Sequence, residues 1–577
     1  MSQHAAPRRR QVVSHQRVYA LLAVFTLFVG LIGYRIVSFQ LVRSEELSRQ
    51  ALAVRFEEDI VPALRGTIYD ARGVPLATNV PRARVWAVLA QIDDPAGLAV
   101  QIAPLVGATP EALLEKLTTP DVEWVLLARQ VSPEASDQLT ALEHPGLVIE
   151  PEPGRIYPAG ELAAHVLGFT DYQHEGAYGI EGEHDDVIGG DPGRLQGERD
   201  GEGNVIGLSP STWQEPVDGA DVVLTLDSAV QRIIERVLLE TIQEQGAIGG
   251  TIVVQDPRTG AILGMASYPT FDPNSFADQD DISVFTNPAV SQVYEPGSTF
   301  KAIVMAIGID AGVVTPDTVH NDAPGYVEVP GHPPITNNEG RVWGEETMTQ
   351  VLEHSTNLGA IFVAQQIGRE RFYQRLADFG IGKLTGVDLQ GEERGILTKP
   401  WESDWNDTLF YTNAFGQGVA LTPVQLVNAL SAIVNGGHLM EPYVVAEEHW
   451  PDGTVVIHEP QVIRDVISAE SSATMRAMLY SVVENGTGVF AEVPGYAIGA
   501  KTGTAQIPSP DGGYLPNATT ASIIGFGPVE EPQFTVLVKI DAPTESEWGE
   551  TVAGPALQEV FTELFALYGI APTEEVE

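Results

Sequence analysis

Apolar residues fill one long uncharged segment near the amino terminus of the chain. The run covers residues 18–34, Arg35 interrupts it, and mostly apolar residues follow as far as Val42. A helix of roughly 20 apolar residues crosses a bilayer, and an arginine near its end can extend its charge into the headgroups. The pattern therefore predicts a transmembrane anchor over residues 18–39, preceded by a basic tail over residues 1–17.

A cleaved signal peptide and a buried core helix are the alternatives to a membrane anchor. The run is long for a signal peptide and lacks a clear small-x-small cleavage site, although Gly30 and Gly33 leave this alternative open. The segment is apolar on all sides and flanked by arginine, which disfavours a core helix at this position. Because basic flanks stay in the cytoplasm, we expect the rest of the chain on the outer side of the membrane.

Between residues 60 and 215 the chain has short runs typical of β-strands, separated by many glycines and prolines. Residues 65–79 predict a hairpin that turns near Gly73. Helices are predicted for residues 44–56, 104–117 and 132–142, the second of them entered through Thr109 and Pro110. The segment Q-E-P-V-D-G near residues 215–220 predicts a domain boundary.

Beyond residue 220 the pattern alternates between the periods of strands and helices. Strands are predicted for residues 222–226, 251–267 (a hairpin that turns at 256–260), 496–507, 519–527 and 533–541. Helices are predicted for residues 228–245, 300–311, 345–378, 422–435 and 555–568. These patterns predict an α/β protein of several domains: the anchor, a β-rich domain over residues 40–218, a second domain over residues 219–570 and an acidic tail over residues 571–577.

The composition removes several classes of function. The chain has 78 acidic residues against 32 Lys and Arg, and a formal net charge of −46. Such a surface repels nucleic acid, so no polynucleotide partner is expected, and we attribute the charge to solubility or salt adaptation. The sequence has no cysteine, which excludes disulfides, thiolate metal sites and a cysteine nucleophile.

The 12 histidines are scattered without the spacing of a metal site, so we expect neither a metal nor another cofactor. His354 lies beside Ser355 and is the one candidate for serine–histidine chemistry. A single histidine next to a turn is more often structural.

Three short motifs in the second domain carry candidate chemistry. They are S-T-F-K at residues 298–301, S-T-N at residues 355–357 and K-T-G at residues 501–503. Basic positions elsewhere are mostly arginine, and the only lysines are Lys116, Lys301, Lys383, Lys399, Lys501 and Lys539. An arginine cannot lose its proton in a protein, whereas a buried lysine amine can, so lysine in two of the motifs suits proton transfer.

Ser298 and Lys301 have the arrangement of a nucleophile and its base. Lys301 lies one turn after Ser298 on the same face of a predicted helix that is apolar on nearly every side. Burial disfavours the ammonium form and lowers the pKa of Lys301, which suits removal of the proton from the Ser298 hydroxyl. The backbone N–H of Ser298 at the start of this helix is a candidate oxyanion donor.

The other two motifs supply candidate groups for proton relay and substrate binding. Ser355 and Asn357 are expected in a loop between two helices, where the hydroxyl relays a proton to the leaving amine and the amide holds a peptide backbone. Lys501, with the hydroxyls of Thr502 and Thr504, is expected to receive a carboxylate.

Gly503 lies on the same predicted strand and would let a substrate backbone approach closely.

Each motif alone also has an ordinary structural explanation. Ser298 could cap a core helix, Ser355 could be a turn residue, and Lys501 could be an exposed charge on an edge strand. The order and placement of all three motifs favour the functional interpretation.

The set S-x-x-K, S-x-N and K-T-G resembles the superfamily of penicillin-binding proteins and serine β-lactamases. Longer segments resemble its class B, high-molecular-mass penicillin-binding proteins: Y-E-P-G-S-T-F-K at 294–301, K-T-G-T-A-Q at 501–506, R-I-Y-P at 155–158 with His165, G-I-E-G at 179–182, T-L-D at 225–227 and R-G-T-I-Y-D at 65–70. The resemblance covers nearly the whole chain after the anchor. Within class B the chain is more similar to the division or sporulation type than to the elongation type.

This resemblance implies a fold and an activity. The implied fold is a non-catalytic pedestal of the dimerisation type, in which Arg155, His165 and Glu181 are structural, followed by a transpeptidase domain with an antiparallel sheet and flanking helices. The implied activity is that of a serine-type peptidoglycan D,D-transpeptidase, which cross-links stem peptides through an acyl-enzyme and is inhibited by β-lactams.

The resemblance also implies roles for the motif residues. These are Ser298 as nucleophile, Lys301 as base, Ser355 and Asn357 as the second motif, Lys501 as the third, and Thr502, Gly503 and Thr504 as substrate-binding residues, with the Thr504 N–H completing the oxyanion hole. The chain has S-T-N where many relatives have S-S-N, but the serine and asparagine are kept. No E-D-x-x-F-x-x-H-x-G-type segment of a glycosyltransferase is present, so the implied partners are a polytopic glycan polymerase and division proteins at the bacterial membrane.

Two alternatives remain within the same superfamily. A β-lactamase would need a deacylating base, and Glu402 with Asn406 has the E-x-x-x-N spacing of class A enzymes. A non-enzymatic β-lactam sensor or scaffold is the other alternative. Sensors carry several membrane spans, and a scaffold would be expected to have lost Ser298 or Lys301.

Overall fold

The computed structural model describes residues 15–44, 56–198, 212–329, 332–509 and 512–572. Most of the predicted basic tail, of the predicted helix over residues 44–56 and of the predicted acidic tail lies outside these residues. The chain divides into two compact units, of which the first comprises Met1–Ala63 and Asp191–Val217, and the second comprises Leu64–Gly190 and Asp218–Glu577.

Strands and helices alternate along most of the described chain. The strands are β1 (Phe56–Val61), β2 (Ile68–Tyr69), β3 (Pro75–Val88), β4 (Trp124–Val131), β5 (Leu147–Ile156), β6 (Phe169–Thr170), β7 (Gly176–Ala177), β8 (Gly193–Glu198), β9 (Thr212–Gln214), β10 (Asp221–Leu224), β11 (Gly249–Gln255), β12 (Ile262–Tyr268), β13 (Val319–Asn321), β14 (Val327–Val329), β15 (His332–Ile335), β16 (Glu345–Thr347), β17 (His438–Met440), β18 (Val445–His449), β19 (Val455–Ile457), β20 (Val462–Asp465), β21 (Gly499–Pro508), β22 (Tyr514–Gly527) and β23 (Phe534–Asp541). The α-helices are α1 (His15–Val37), α2 (Pro95–Val106), α3 (Pro110–Leu117), α4 (Pro133–Thr140), α5 (Ala164–Leu167), α6 (Gly179–Glu183), α7 (Asp185–Ile188), α8 (Ser228–Gln245), α9 (Pro288–Ser291), α10 (Lys301–Asp310), α11 (Met348–Glu353), α12 (Asn357–Ile367), α13 (Arg369–Asp378), α14 (Asp407–Thr412), α15 (Pro423–Val434), α16 (Ala469–Asn485), α17 (Gly549–Val552) and α18 (Gly554–Tyr568).

The first unit contains the apolar amino-terminal helix. Helix α1 continues into a π-helical turn at Ser38–Val42. The stretch His15–Leu41 contains an 18-residue window with a mean hydropathy of 2.2 and is long enough to span a bilayer. The Arg35 guanidinium lies 5.6 Å from the centre of the Phe39 ring. In the same unit, β1, β8 and β9 form a three-stranded antiparallel sheet.

A seven-stranded sheet in the second unit has the order β19–β18–β10–β2–β3–β4, with β5 also paired to β3. The predicted hairpin over residues 65–79 is confirmed, because β2 and β3 pair antiparallel. Asp70 fixes its turn by accepting hydrogen bonds from the backbone N–H groups of Arg72 and Val74. Strands β10, β18 and β19 come from the predicted second domain, so this sheet contains strands of both predicted domains.

The predicted helix over residues 104–117 is wrong at its start. The structure has two helices there, because α2 begins earlier and ends at Gly107, whose φ is +65°. Pro104 lies inside α2 rather than at the start of a helix. Helix α3 begins as predicted, since the Thr109 hydroxyl accepts a hydrogen bond from Ala112 N at 3.2 Å.

The five-stranded antiparallel sheet has the order β12–β11–β23–β22–β21 and separates two apolar cores. Successive residues of β11 point to opposite faces, as strand geometry requires. Ile252 and Val254 pack in the core that contains α8 and α18. Val253 packs in the core that contains α10, α15 and α16. The predicted antiparallel sheet with flanking helices is therefore confirmed, and its edge strand β21 carries the K-T-G motif.

Candidate active site

Ser298 lies in a 3₁₀ turn, Gly297–Phe300, that leads directly into helix α10. The first eight residues of α10 are buried, as the apolar pattern predicted. Ser298 itself is half-buried and lines a cleft. The structure therefore differs from the sequence prediction only in the first turn, which is 3₁₀ rather than α-helical.

The K-T-G strand packs directly against the turn that carries Ser298. A Cβ added to Gly503 would lie 2.8 Å from Thr299 Cγ2 and 3.0 Å from Pro296 O. A side chain at residue 503 would thus push β21 away from the serine turn. Glycine is required here for contacts within the protein, and the close approach of a substrate backbone at Gly503 stays a prediction.

Two buried lysines meet at the hydroxyl of Ser355. Lys301 is 1% exposed and Lys501 is 0% exposed. Lys501 Nζ donates to Ser355 Oγ at 2.9 Å, and Lys301 Nζ lies 3.4 Å from the same oxygen. Lys301 Nζ also donates to Ser355 O at 2.5 Å and to Asn357 Oδ1 at 2.8 Å. The three motifs thus form one hydrogen-bonded network.

Ser355 has an unusual backbone conformation that places its hydroxyl between the lysines. Its φ is +58°, in the left-handed region that residues other than glycine rarely adopt. Holding a serine in this region costs on the order of 1–3 kcal/mol, and such residues are concentrated at functional sites. The turn separates α11 from α12, so the predicted loop position of Ser355 is confirmed, while Asn357 is the first residue of α12.

Asn337, which belongs to none of the three sequence motifs, fixes the start of helix α12. Its side-chain oxygen accepts hydrogen bonds from the N–H groups of Asn357 at 2.8 Å and Leu358 at 3.0 Å. Its side-chain nitrogen donates to buried Asp322 at 2.9 Å. Asn337 lies 20 residues before the motif residue that it holds. No spacing in the sequence signals such a contact.

Burial dominates the electrostatics of the two lysines. It lowers the pKa of Lys301 well below the ordinary value, and the neighbouring charge of Lys501 lowers it further, against the opposing effect of Glu346. Burial lowers the pKa of Lys501 to about 7, while Glu550 opposes this shift. A neutral amine on Lys301 is therefore accessible near neutral pH, as a general base requires.

His354 forms part of the cleft wall beside Ser355. Its Nδ1 lies 2.7 Å from Oε1 of Glu346, which is 1% exposed. The Trp343 indole stacks on the imidazole with a centroid distance of 3.7 Å and an interplanar angle of 8°. Burial raises the pKa of Glu346. The sequence favoured a structural role for His354, and the structure gives it two fixed partners next to the motif serine.

The cleft has a volume of about 190 Å³ and is walled mainly by polar side chains. Its lining includes Ser298, Asn337, Asn338, Glu339, Arg341, Trp343, His354, Ser355, Thr356, Thr487, Thr502, Thr504, Trp548 and Glu550. The Thr502 hydroxyl donates to Thr487 Oγ1 at 2.9 Å, and the Thr504 hydroxyl accepts from Gly549 N at 3.0 Å. Across the described ranges, no group of three or more His, Asp or Glu side chains is placed to hold a metal ion.

Glu402 and Asn406, the pair with the spacing of a deacylating base, have other partners. Glu402 Oε2 accepts from Lys399 N at 3.0 Å, and Asn406 Oδ1 caps helix α14 through Leu409 N at 3.3 Å. Neither residue is among the described residues that line the cleft. Their spacing in the sequence is therefore explained by a turn and a helix cap.

Two protein-family models together match most of the chain. Residues 250–562 match the model of the penicillin binding protein transpeptidase domain. Residues 60–224 match the model of the penicillin-binding protein dimerisation domain. The chain is 34% identical to stage V sporulation protein D of Bacillus subtilis (strain 168), over 95% of this chain and 86% of the relative. It is 29% identical to peptidoglycan D,D-transpeptidase FtsI of Escherichia coli (strain K12), over 93% of this chain and 89% of the relative.

Solved structures have the same architecture. Penicillin binding protein 2X from Streptococcus thermophilus superimposes with a TM-score of 0.74 at 24% identity, over 89% of this chain and 81% of that chain. Penicillin binding protein 3 from Mycobacterium tuberculosis, in its complex with aztreonam, gives a TM-score of 0.70 at 27% identity, over 90% of this chain and 99% of that chain.

Proposed function

The chain belongs to the class B penicillin-binding proteins, and we propose that Ser298 is the nucleophile of its peptidoglycan D,D-transpeptidase activity. The protein is a serine-type D,D-transpeptidase of a β-lactam-binding family. The observation that carries the assignment of residues is the Ser355 hydroxyl, which lies between two buried lysines. Within the described residues neither lysine has a carboxylate at ion-pair distance, and burial outweighs the opposing charges of Glu346 and Glu550.

The geometry supports a two-step acyl transfer. In the first step Ser298 Oγ attacks the carbonyl of the D-Ala-D-Ala amide, and the neutral amine of Lys301 takes the hydroxyl proton. The C–N bond then breaks, and the proton passes through Ser355 to the leaving D-alanine. In the second step an acceptor amine attacks the acyl ester, which forms the cross-link and releases Ser298.

The remaining motif residues bind and polarise the substrate. Lys501, protonated below about pH 7, provides the positive charge for the terminal carboxylate, with Thr502 and Thr504 at the cleft surface. The N–H groups of Ser298 and Thr504 stabilise the oxyanion. A β-lactam acylates Ser298 in the same way, because its strained ring resembles the scissile amide.

The acyl-enzyme provides the test of this proposal. The full chain in detergent is incubated with penicillin, and its intact mass is measured over time. We expect one stable adduct per chain, located on Ser298, and no adduct in Ser298→Ala. The exposed Ser283 serves as the matched control, since Ser283→Ala should label normally. Labelling that persists in Ser298→Ala would overturn the assignment. Rapid turnover of a chromogenic cephalosporin would favour the β-lactamase alternative.

The apolar helix α1 and the FtsI- and stage V sporulation protein D-type relatives indicate a membrane-anchored protein. We propose that its amino terminus is cytoplasmic and its pedestal (40–218) and transpeptidase domain (219–570) are extracytoplasmic. The arginines before the span support this orientation. Protease added to intact spheroplasts should digest the chain beyond about residue 45, given the reach of the span. Full protection in sealed spheroplasts would reverse the topology.

We propose that the protein works beside a polytopic glycan polymerase and division proteins. Cross-linking requires newly made glycan strands, and the sequence shows no E-D-x-x-F-x-x-H-x-G-type segment of a glycosyltransferase that could supply them. The exposed face of α1 near Arg35 is available for such a contact. Replacing residues 18–39 with an unrelated single span tests this point. Unchanged localisation and cross-linking in cells would show that the helix is an anchor only.

A further inference from the structure

Two carboxylates line the catalytic cleft, and they differ in their partners. Glu339 forms an ion pair with Arg341 at 2.9 Å. Glu550 is half-buried, and its carboxylate has no ion pair or hydrogen bond to any residue that the structure describes. One acidic charge of the cleft is thus neutralised within the protein, and the other is available to a ligand.

Glu550 is held in place by backbone packing on the K-T-G strand. It lies in the short helix α17, whose first residue, Gly549, donates its N–H to Thr504 Oγ1 at 3.0 Å. A Cβ on Gly549 would lie 2.2 Å from Gly503 O and 2.5 Å from Ser522 O. The backbone before Glu550 is therefore in direct contact with β21, and Glu550 lines the same cleft as Thr502 and Thr504.

The surroundings of Glu550 favour a cationic ligand. Burial raises the pKa of Glu550, and the positive charges of Lys501 and Arg341 oppose this shift. Lys501 is already hydrogen-bonded to Ser355 and Thr502, and Arg341 is paired with Glu339. A half-buried carboxylate without a partner is unfavourable, and a ligand ammonium group would relieve that cost through charge-assisted hydrogen bonds.

The transfer reaction itself supplies such a ligand. An aliphatic amine is protonated near neutral pH, so the acceptor reaches the acyl-enzyme as an ammonium ion. We propose that Glu550 binds the ammonium group of the acceptor and so selects amines over water as the second substrate. This inference rests on the proposed function, because it concerns the second step of the same reaction.

The proton balance of that step is complete with groups already present. The bound ammonium gives one proton to the neutral amine of Lys301, and the free amine then attacks the acyl carbonyl. The new C–N bond forms, the C–O bond to Ser298 breaks, and the second amine proton passes to Ser298 Oγ. Lys301 finally releases its proton to solvent. Glu550 is unchanged throughout and contributes only binding and orientation.

The test measures how the acyl-enzyme divides between an amine and water. The full chain in detergent is acylated with a D-Ala-terminated thioester, and product ratios are followed as the concentration of a peptide amine is raised. In Glu550→Gln we expect the amine concentration that gives equal aminolysis and hydrolysis to rise about tenfold, since charge-assisted hydrogen bonds to ammonium are lost. Methanol, a neutral nucleophile, should compete with water equally well in both proteins.

Two controls separate this inference from the proposed function. The exposed Glu547 precedes Glu550 on the same segment, and Glu547→Gln should behave like the wild type. Penicillin should still acylate Ser298 in Glu550→Gln, at a rate that reports any change in the charge of Lys501, because the Glu550 and Lys501 charges interact. Equal amine preference in wild type and Glu550→Gln, or an equal loss with methanol, would overturn the role of Glu550 alone. Failure of the wild type to form any Ser298 acyl-enzyme would overturn the proposed function instead.

Discussion

Two buried clusters of cations, one in each predicted domain, are built around a single central acceptor. In the catalytic cluster, Lys301 and Lys501 surround the neutral hydroxyl of Ser355. In the pedestal cluster, Arg65 Nη2 lies 2.8 Å and Arg155 Nε 2.7 Å from the carboxylate of Glu181. The central group is therefore uncharged in the first cluster and negatively charged in the second.

This difference sets the protonation of the cations. Burial alone would lower the pKa of Arg65, but the carboxylates of Glu181 and Asp185 outweigh it and raise the pKa. Burial lowers the pKa of Lys301, and the second lysine lowers it further. A buried cation with a carboxylate stays charged and acts as a fixed support, whereas a buried lysine without one can serve as a base.

The largest expected effect comes from making the catalytic cluster resemble the pedestal cluster. Lys301→Arg keeps the positive charge but cannot accept the Ser298 proton, so penicillin acylation should slow by about 10²–10⁴-fold. Stopped-flow or gel-based acylation rates measure this loss. The partly exposed Lys399 gives a control, since Lys399→Arg should leave the rate unchanged. An arginine variant that acylates at the wild-type rate would reduce Lys301 to a packing residue.

Removing the central carboxylate of the pedestal cluster should affect stability instead. Glu181→Gln leaves Arg155 buried without a counter-charge and Arg65 with Asp185 alone, and Tyr157 loses a charged acceptor. We expect a loss of about 3–5 kcal/mol in the free energy of unfolding, measured from urea transitions, with the acylation rate of the folded protein unchanged. Asp185→Asn, which alters the 41% exposed partner of Arg65, should cost less. Slower acylation at an unchanged urea midpoint would contradict a purely structural role.

The sequence predicted the catalytic cluster better than the pedestal cluster, for a physical reason. Helix α8 and the strands of the five-stranded sheet follow from local periodicity, and the K-T-G motif lies on one of those strands, β21. Lys301 is a candidate base from the sequence alone, because its one-turn spacing from Ser298 and the scarcity of lysine are both visible in the chain.

Contacts between distant positions were not predictable in this way. Arg65 and Glu181 are 116 residues apart, and neither spacing nor composition indicates their pairing. The left-handed backbone of Ser355 occurs without the glycine that would have signalled it. Glu550 was missed because its significance depends on the cleft it lines and on the partner it lacks among the described residues.

The pH dependence of acylation tests whether Lys501, unlike an arginine, loses its charge near neutral pH. Lys501 has a pKa of about 7, so its charge is present below that pH and is lost as the pH rises through it. The second-order acylation constant for an anionic penicillin should therefore fall above pH 7, by about tenfold per pH unit at most. On the acidic side of the profile, the acylation rate should increase with pH as Lys301 loses its proton.

Lys501→Arg should abolish the decline on the alkaline side, whatever its absolute rate, because a guanidinium keeps its charge. The measurement is a pH profile of acylation for both proteins. An alkaline decline of the same position and slope in the arginine variant would assign it to a group other than Lys501.

The smallest expected effect comes from an exposed arginine–glutamate ion pair, which has the same charged groups as the pedestal cluster but is not buried. Arg84 and Glu150 face each other on β3 and β5, with Nε and Oε2 2.7 Å apart and side chains 40% and 42% exposed. Water solvates both charges when they separate, so Glu150→Gln should cost only about 0–1 kcal/mol. The glutamine can still accept the hydrogen bond from Trp86 Nε1.

High salt should further distinguish the exposed pair Arg84–Glu150 from the buried pair Arg65–Glu181. Mobile ions screen exposed charges over a Debye length of about 3 Å at 1 M salt, so the cost of Glu150→Gln in urea unfolding should vanish there. The cost of Glu181→Gln should persist, because ions do not reach a carboxylate that is 0% exposed. A cost of several kcal/mol for Glu150→Gln would mean that the ionic chemistry itself, and not burial, stabilises the pedestal. In that case, the difference in protonation between the pedestal arginines and the catalytic lysines would come only from the choice of arginine or lysine.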